Sequence, residues 1–154
     1  MPTSTYVALA TASVTADASV IFSSIPATYR DLVLVVSGTH SASVIERIYL
    51  NGDTTQANYS RVVMYGTGSV AGSVSFTDWQ IANVDSTQAN LIVNFMDYSA
   101  TDKHKTYILR SNSTSKEVAA SANRWANTSA VTSITYTANT GTFTGTISLY
   151  GIEA

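Results

Sequence analysis

The sequence predicts an all-β fold, an antiparallel β-sandwich of jelly-roll type with about nine or ten strands. Three observations predict it. Apolar and polar residues alternate with period two from end to end, and no stretch longer than a few residues places apolar side chains at helical spacing. Thr, Val, Ile and Tyr tilt the composition towards strand propensity. Gly, Asn, Asp and Pro punctuate the alternating runs as turn formers.

In order, Thr5 to Val14 reads as the first strand and Ser19 to Ser23 as the second, and Pro26 then marks a turn within Ser24 to Asp31. Leu32 to Ser37 is apolar on both faces, the pattern of a central strand in a two-layer fold. Val44 to Leu50 alternates, with Ile45, Arg47 and Tyr49 on one side and Val44, Glu46, Ile48 and Leu50 on the other. Asn51-Gly52 signals a tight reversal, followed by a loop from Asp53 to Asn58. Tyr59 to Tyr65, closed by Gly66, Gly68 and Gly72, and then Ser73 to Trp79 supply two more strands.

Ala89 to Tyr98 carries the strongest strand signal, with Leu91, Val93 and Phe95 opposite Ile92, Asn94 and Met96. Thr101-Asp102-Lys103 is a short polar connection, which predicts an antiparallel hairpin with His104 to Ser111. Glu117 to Trp125 is an alanine-rich strand. The last two, Val131 to Thr137 and Thr142 to Ile152, flank Asn139-Thr140-Gly141, read as a hairpin turn whose glycine tolerates positive φ.

A chain of 154 residues fits one domain, residues 1–154, with residues 1–5 as an N-terminal arm. A jelly roll is expected over an immunoglobulin-type sandwich, which is usually shorter. Cys is absent, which removes disulfide scaffolds, thiolate metal sites and cysteine nucleophiles together. Met1 to Tyr6 has no basic cluster, and Val7 to Ala10 is too short an apolar run for a signal segment or a membrane span. A soluble protein without membrane insertion is expected.

Charged residues make up 12% of the chain, against about 25% in ordinary domains. The net charge is −2, so no nucleic-acid footprint is present. Ser and Thr, roughly a quarter of the residues, replace the missing charge. Such a surface stays soluble through hydroxyl hydration, sheet closure or burial against partners, and the last points to an assembled particle.

Catalysis finds little support in the residues. His40 and His104 each stand without a nearby His or Cys and without metal-ligand spacing. No Gly-x-Ser-x-Gly elbow accompanies the abundant serines. Glu46 and Asp97 lie within expected strands and could serve a sugar hydrolase, but paired carboxylates are scarce and solvent-facing charge is the plainer reading. Asn51-Gly52-Asp53 lacks the further acids a calcium loop needs. Gly66-x-Gly68-x-x-x-Gly72 precedes a strand, where no helix N-terminus could hold phosphate. No catalytic residue, metal ligand or cofactor is assigned, and the expectation is a protein that is not an enzyme. Five aromatics, Tyr65, Trp79, Tyr98, Tyr107 and Trp125, are candidate contacts to a sugar ring or receptor, with the core as their competing place.

Three segments together carry a resemblance: Ile25-Pro26-Ala27-Thr28-Tyr29-Arg30-Asp31-Leu32-Val33-Leu34, Leu50-Asn51-Gly52-Asp53 through Asn58-Tyr59-Ser60, and Thr142 to Ile152 with its closing Leu149-Tyr150-Gly151-Ile152. The set resembles small virion-associated proteins, and end domains of tail proteins, of tailed phages of marine and cyanobacterial hosts. These motifs are turns and strand ends, so the resemblance transfers no active-site residue. It implies a phage particle component, assembled in the bacterial host cytoplasm: a capsid or tail decoration subunit, homo-oligomeric and trimeric by that precedent, docked on other virion proteins. The alternative is a tail-fibre or carbohydrate-binding module that recognises host surface glycans.

Overall fold

A computed structural model describes residues 5–114 and 117–153. Among them the chain forms twelve strands: β1 (Tyr6–Asp17), β2 (Ser19–Phe22), β3 (Asp31–His40), β4 (Val44–Leu50), β5 (Tyr59–Gly66), β6 (Ala71–Phe76), β7 (Gln80–Val84), β8 (Ala89–Met96), β9 (Lys105–Ser113), β10 (Val118–Trp125), β11 (Ile134–Ala138) and β12 (Phe143–Ile152). One turn of 3-10 helix, Gln56–Asn58, precedes β5.

Eight of these strands nest like a folded ribbon, with β1 beside β12, β2 beside β11, β3 beside β8 and β4 beside β7. Along these eight the chain changes sheet at every step except from β4 to β7, which produces facing sheets ordered β1-β12-β3-β8 and β2-β11-β4-β7. That is jelly-roll connectivity. The remaining strands are two inserted hairpins, β5–β6 between β4 and β7, and β9–β10 between β8 and β11. Both join the first sheet beyond β8, extending it to eight strands in the order β1-β12-β3-β8-β9-β10-β5-β6.

The core lies between the sheets. Leu32, Leu34 and Val36 of β3, Ile48 and Leu50 of β4, Val93 and Phe95 of β8, Ile134 of β11 and Ile147 of β12 are all buried there. Burying each such side chain stabilises the fold by about 1.5–3 kcal/mol. As expected of a central strand, β3 is flanked on both sides, by β12 and β8. The β8–β9 hairpin also forms as expected, with Val93 opposite Leu109 and Phe95 opposite Tyr107.

Several expectations are corrected. The strand count is twelve and not nine or ten: each of the eleven runs read above forms a strand, and the run Ser73 to Trp79 ends at Phe76 with a separate strand, Gln80–Val84, after it. At Asn51-Gly52 the tight turn forms, with φ of 52° and 69° and the Asp53 N–H donating to Leu50 O at 3.0 Å. Its flanking strands nevertheless belong to different sheets. Gly141 likewise adopts positive φ, 68°, but β11 and β12 are in opposite sheets, so Asn139-Thr140-Gly141 is a crossover and not a hairpin. Asn139 ties that crossover to β4, accepting the Ile45 N–H on Oδ1 at 2.6 Å and donating its own N–H to Ile45 O at 3.0 Å. Of the proposed arm, Thr5 is anchored by the Glu153 N–H at 3.1 Å; residues 1–4 lie outside the described residues.

The three segments that carry the resemblance are clamps. Tyr29 lies flat on Gly151, so closely that a Cβ there would penetrate its ring, and the Arg30 N–H donates to Ile152 O at 2.9 Å. Asn51 Nδ2 donates to Ala130 O at 2.8 Å, while its Oδ1 accepts the N–H groups of Thr132 at 2.8 Å and Ser133 at 3.1 Å. Tyr59 OH accepts from Leu50 N–H at 3.1 Å and donates to Asp53 O at 2.9 Å. The carboxylate of Asp53 is occupied by Trp125, Asn58 and Thr55 at 2.7–2.9 Å.

Candidate docking face

Register fixes which side chains of the extension point away from the small sheet. Ala122 pairs with Ile108 on β9 and Val62 on β5, and Ala120 pairs with Arg110 and Met64. Partners opposite one another in a ladder share a face, so these side chains form one outward surface. Val62 is 50% exposed, Met64 62%, Met96 44%, Ile108 47% and Val118 64%. The inward face of the same strands holds Ser111, Ser121 and Asn123, all buried. Asn123 Nδ2 donates to Ser121 Oγ at 2.8 Å and to Tyr107 O at 3.2 Å, which offsets the cost of burying an amide.

Over β5, β9 and β10 the sheet is therefore apolar on both faces, because the inward side also buries Tyr59, Val63, Tyr107, Leu109 and Trp125 while the outward side leaves large apolar groups in water. A shallow hollow of about 630 Å³ runs across this surface, lined among others by Val62, Met96, Ile108, Ala122 and Arg124. An exposed apolar patch rimmed by polar groups is the physical signature of an interaction surface.

On the inward side the β5–β6 hairpin shields the free edge of β7. Arg61 makes a two-pronged ion pair with Asp78, at 2.5 and 3.2 Å, and reaches Gln80 Oε1 at 3.2 Å. Its guanidinium lies 4.2 Å from the centre of the Phe76 ring. A cleft of about 390 Å³ remains between β7 and this hairpin, lined by Val63, Tyr65, Val74, Phe76, Ile81 and Asn83 among others.

The five aromatic candidates do not converge. Tyr98, Tyr107 and Trp125 are 0%, 1% and 1% exposed, so they are core side chains, and their reading as ligand contacts is corrected. Burial pushes the Tyr98 and Tyr107 phenols above the ordinary range. Tyr98 donates its hydroxyl to Pro26 O. Trp79 is half-buried: its indole N–H is spent on Thr54 O at 3.1 Å, Arg47 covers its ring at 4.6 Å, and Tyr49 packs edge-on at 5.8 Å. Tyr65 lines the inner cleft, half-buried.

Nor do the titratable candidates build a reactive centre. Glu46 is 1% exposed, which corrects its reading as a solvent-facing strand acid. Its Oε1 accepts from His40 Nε2 at 3.0 Å and from the Tyr136 hydroxyl, and all three residues are buried between the sheets. Asp97 is half-exposed beyond the end of β8 and pairs with Lys103 at 3.0 Å. His104 is exposed outside any strand. Among the described residues, no group of three or more His, Asp or Glu side chains is arranged to hold a metal ion.

Val62, Met64, Ile108 and Val118 escaped sequence reasoning. The signal was present as alternation, but alternation does not say which of two phases faces the core when both carry apolar and polar residues.

No family model matches the chain, and no curated protein matches it. Among solved structures, the chain was compared with a candidate pore-forming toxin from Bacteroides vulgatus at 7% identity and a TM-score of 0.13. The alignment covers 88% of this chain and spans 55% of the other, and a likeness at that level carries no argument about fold or function.

Proposed function

We propose that this chain is a non-enzymatic structural protein of a tailed-phage particle, a decoration or surface subunit of capsid or tail that acts by docking and self-association. The observation that carries the reading is the second apolar face of the extension, which leaves Val62, Met64, Ile108 and Val118 of β5, β9 and β10, and Met96 of β8 beside them, in water. Exposing so much apolar surface opposes solubility unless a partner covers it. Two further points support it. The resemblance of the three clamp segments is to virion proteins, and the one buried His-Glu-Tyr cluster is sealed from any substrate.

A jelly roll serves capsid proteins, lectins and cupins alike, so the fold does not choose among them. The glycan-binding alternative loses three of its five aromatic contacts to the core and finds Trp79 already covered by Arg47.

Electron microscopy of the intact particle tests the reading. Density for this domain repeated over the capsid or tail, with the outward face of β5, β9 and β10 against a neighbour, is the expected result. Light scattering that shows a monomer at high concentration, together with no binding to particles, would overturn it. Glycan-array binding lost in Trp79→Ala would favour the alternative.

A further inference from the structure

The distribution of positive charge says what kind of surface fits this face, an inference that rests on the docking reading above. Among the described residues, five cations are engaged inside the fold. Arg30 pairs with Asp31 at 2.8 Å, Arg61 with Asp78 and Lys103 with Asp97. Arg47 covers Trp79, and Lys105 is buried, donating to the carbonyls of Lys103 at 3.0 Å and Thr128 at 3.1 Å. Arg110 and Arg124 are different: both are exposed, and neither forms an ion pair with a described carboxylate.

Both stand on the outward face. Arg110 lies opposite Ala120 and Ile92, and Arg124 lies opposite Thr106 and Ser60, with the Ile108–Ala122 pair between the two arginines. Four strand positions separate them along the ladder, roughly 13 Å at the usual rise per residue. None of the outward positions of β5, β6, β8, β9 and β10 carries Asp or Glu. The face is thus an apolar centre flanked by two cations, with no anion to answer them. In a chain of net charge −2, that concentration of unpaired positive charge is local and directional.

We infer that this face takes a protein surface whose apolar centre is flanked by two carboxylates spaced like Arg110 and Arg124, about four strand residues apart. A second copy of the chain meeting it face to face would gather four arginines in one interface with no carboxylate from either face to answer them, and like charges at an interface are unfavourable. The partner is therefore a different surface, acidic at its rim, in which two charge-assisted contacts fix the register and the apolar centre supplies the adhesion.

Two immobilised strand-forming peptides serve as probes, one with Glu at positions i and i+4 and Val at i+2, the other with Lys in place of Glu. Surface plasmon resonance compares the whole protein with the Arg110→Glu/Arg124→Glu variant and with Lys103→Glu as a remote control. Wild type and control are expected to bind the Glu peptide only, and the double variant to bind it at least about tenfold more weakly while gaining the Lys peptide. Equal binding of both peptides, binding untouched by the double variant, or no binding of either would overturn the inference. So would a dimer in light scattering that dissociates in Met64→Asp, because it would make a second copy the occupant. Particle binding by the whole protein that ignores the Arg110→Glu/Arg124→Glu change would sink the acidic partner and leave the docking reading standing.

Discussion

Trp125 donates its indole N–H to Asp53 Oδ2 at 2.8 Å across 72 positions of sequence, and that bond joins the last residue of β10 to the loop that leads into β5. The two inserted hairpins are therefore stapled at their roots as well as paired along β10 and β5. Whatever the extension does, it does as one rigid plate on the jelly roll.

Replacing Asp53 by Ala removes the acceptor for Trp125, Asn58 and Thr55. Leaving a buried donor such as the Trp125 N–H unpaired costs about 1–3 kcal/mol, and urea denaturation is expected to show a loss of at least that size. The pH dependence has a definite sign. Burial raises the Asp53 carboxyl, but the hydrogen bonds from Trp125, Asn58 and Thr55 outweigh it and hold the group below its ordinary value of 3.8. A depressed carboxylate contributes its stability above the unfolded value and loses it as pH falls through the folded one. The gap between wild type and Asp53→Asn should accordingly be full at neutral pH and narrow below about pH 4.

Glu46→Ala removes the acceptor that His40 and the Tyr136 hydroxyl share in the core and leaves the pair only each other, at 3.2 Å. Leaving a buried hydrogen-bonding group without its partner costs about 1–3 kcal/mol, whereas replacing all the partners by apolar groups of similar shape is nearly neutral. The expected outcome is a destabilised single variant and substantial recovery in His40→Phe/Glu46→Leu/Tyr136→Phe. Thermal melts of the two proteins check it, and a triple variant no more stable than the single one would count against a self-contained cluster.

At the other end of the molecule, Gly151→Ala forces a methyl group into the Tyr29 ring. Overpacking of this kind costs about 1–3 kcal/mol. A Tyr29→Ala/Gly151→Ala double variant should be less destabilised than the sum of its parts, a coupling that a double-mutant cycle measures directly.

Alkaline titration should divide the tyrosines. Burial raises Tyr59, Tyr98, Tyr107 and Tyr136 above the ordinary phenol value of 10.0. A raised phenol is neutral in the fold and ionises more readily once unfolded, so its stabilising contribution is complete below pH about 10 and declines above it. Absorbance at the phenolate band should thus rise in two phases, with these four of the nine tyrosines appearing only together with loss of circular dichroism.

Alternation was enough to read β8, where the phase Ala89, Leu91, Val93 and Phe95 is consistently apolar. It failed where local and global information part. The run Ala89 to Tyr98 places Tyr98 in phase with outward Met96, but Asp97 takes φ of 47°, which breaks the phase and turns Tyr98 into the core. In β10 the inward residues are Ala119, Ser121, Asn123 and Trp125 against outward Val118, Ala120, Ala122 and Arg124, so neither phase declares itself the apolar one. Asn51-Gly52 and Gly141 show that turn chemistry is local whereas sheet membership is set by distant partners. The outward face was illegible because β5, β9 and β10 carry apolar side chains on both phases, so alternation did not single out the exposed ones.

The docking role is tested most directly by Met64→Asp/Ile108→Asp, two charges placed on outward positions of β5 and β9 where no core contact is lost. The predicted result is an unchanged melting temperature and circular dichroism spectrum with loss of association to the phage particles of the proposed function. A folded double variant that still decorates those particles as the wild type does would contradict it.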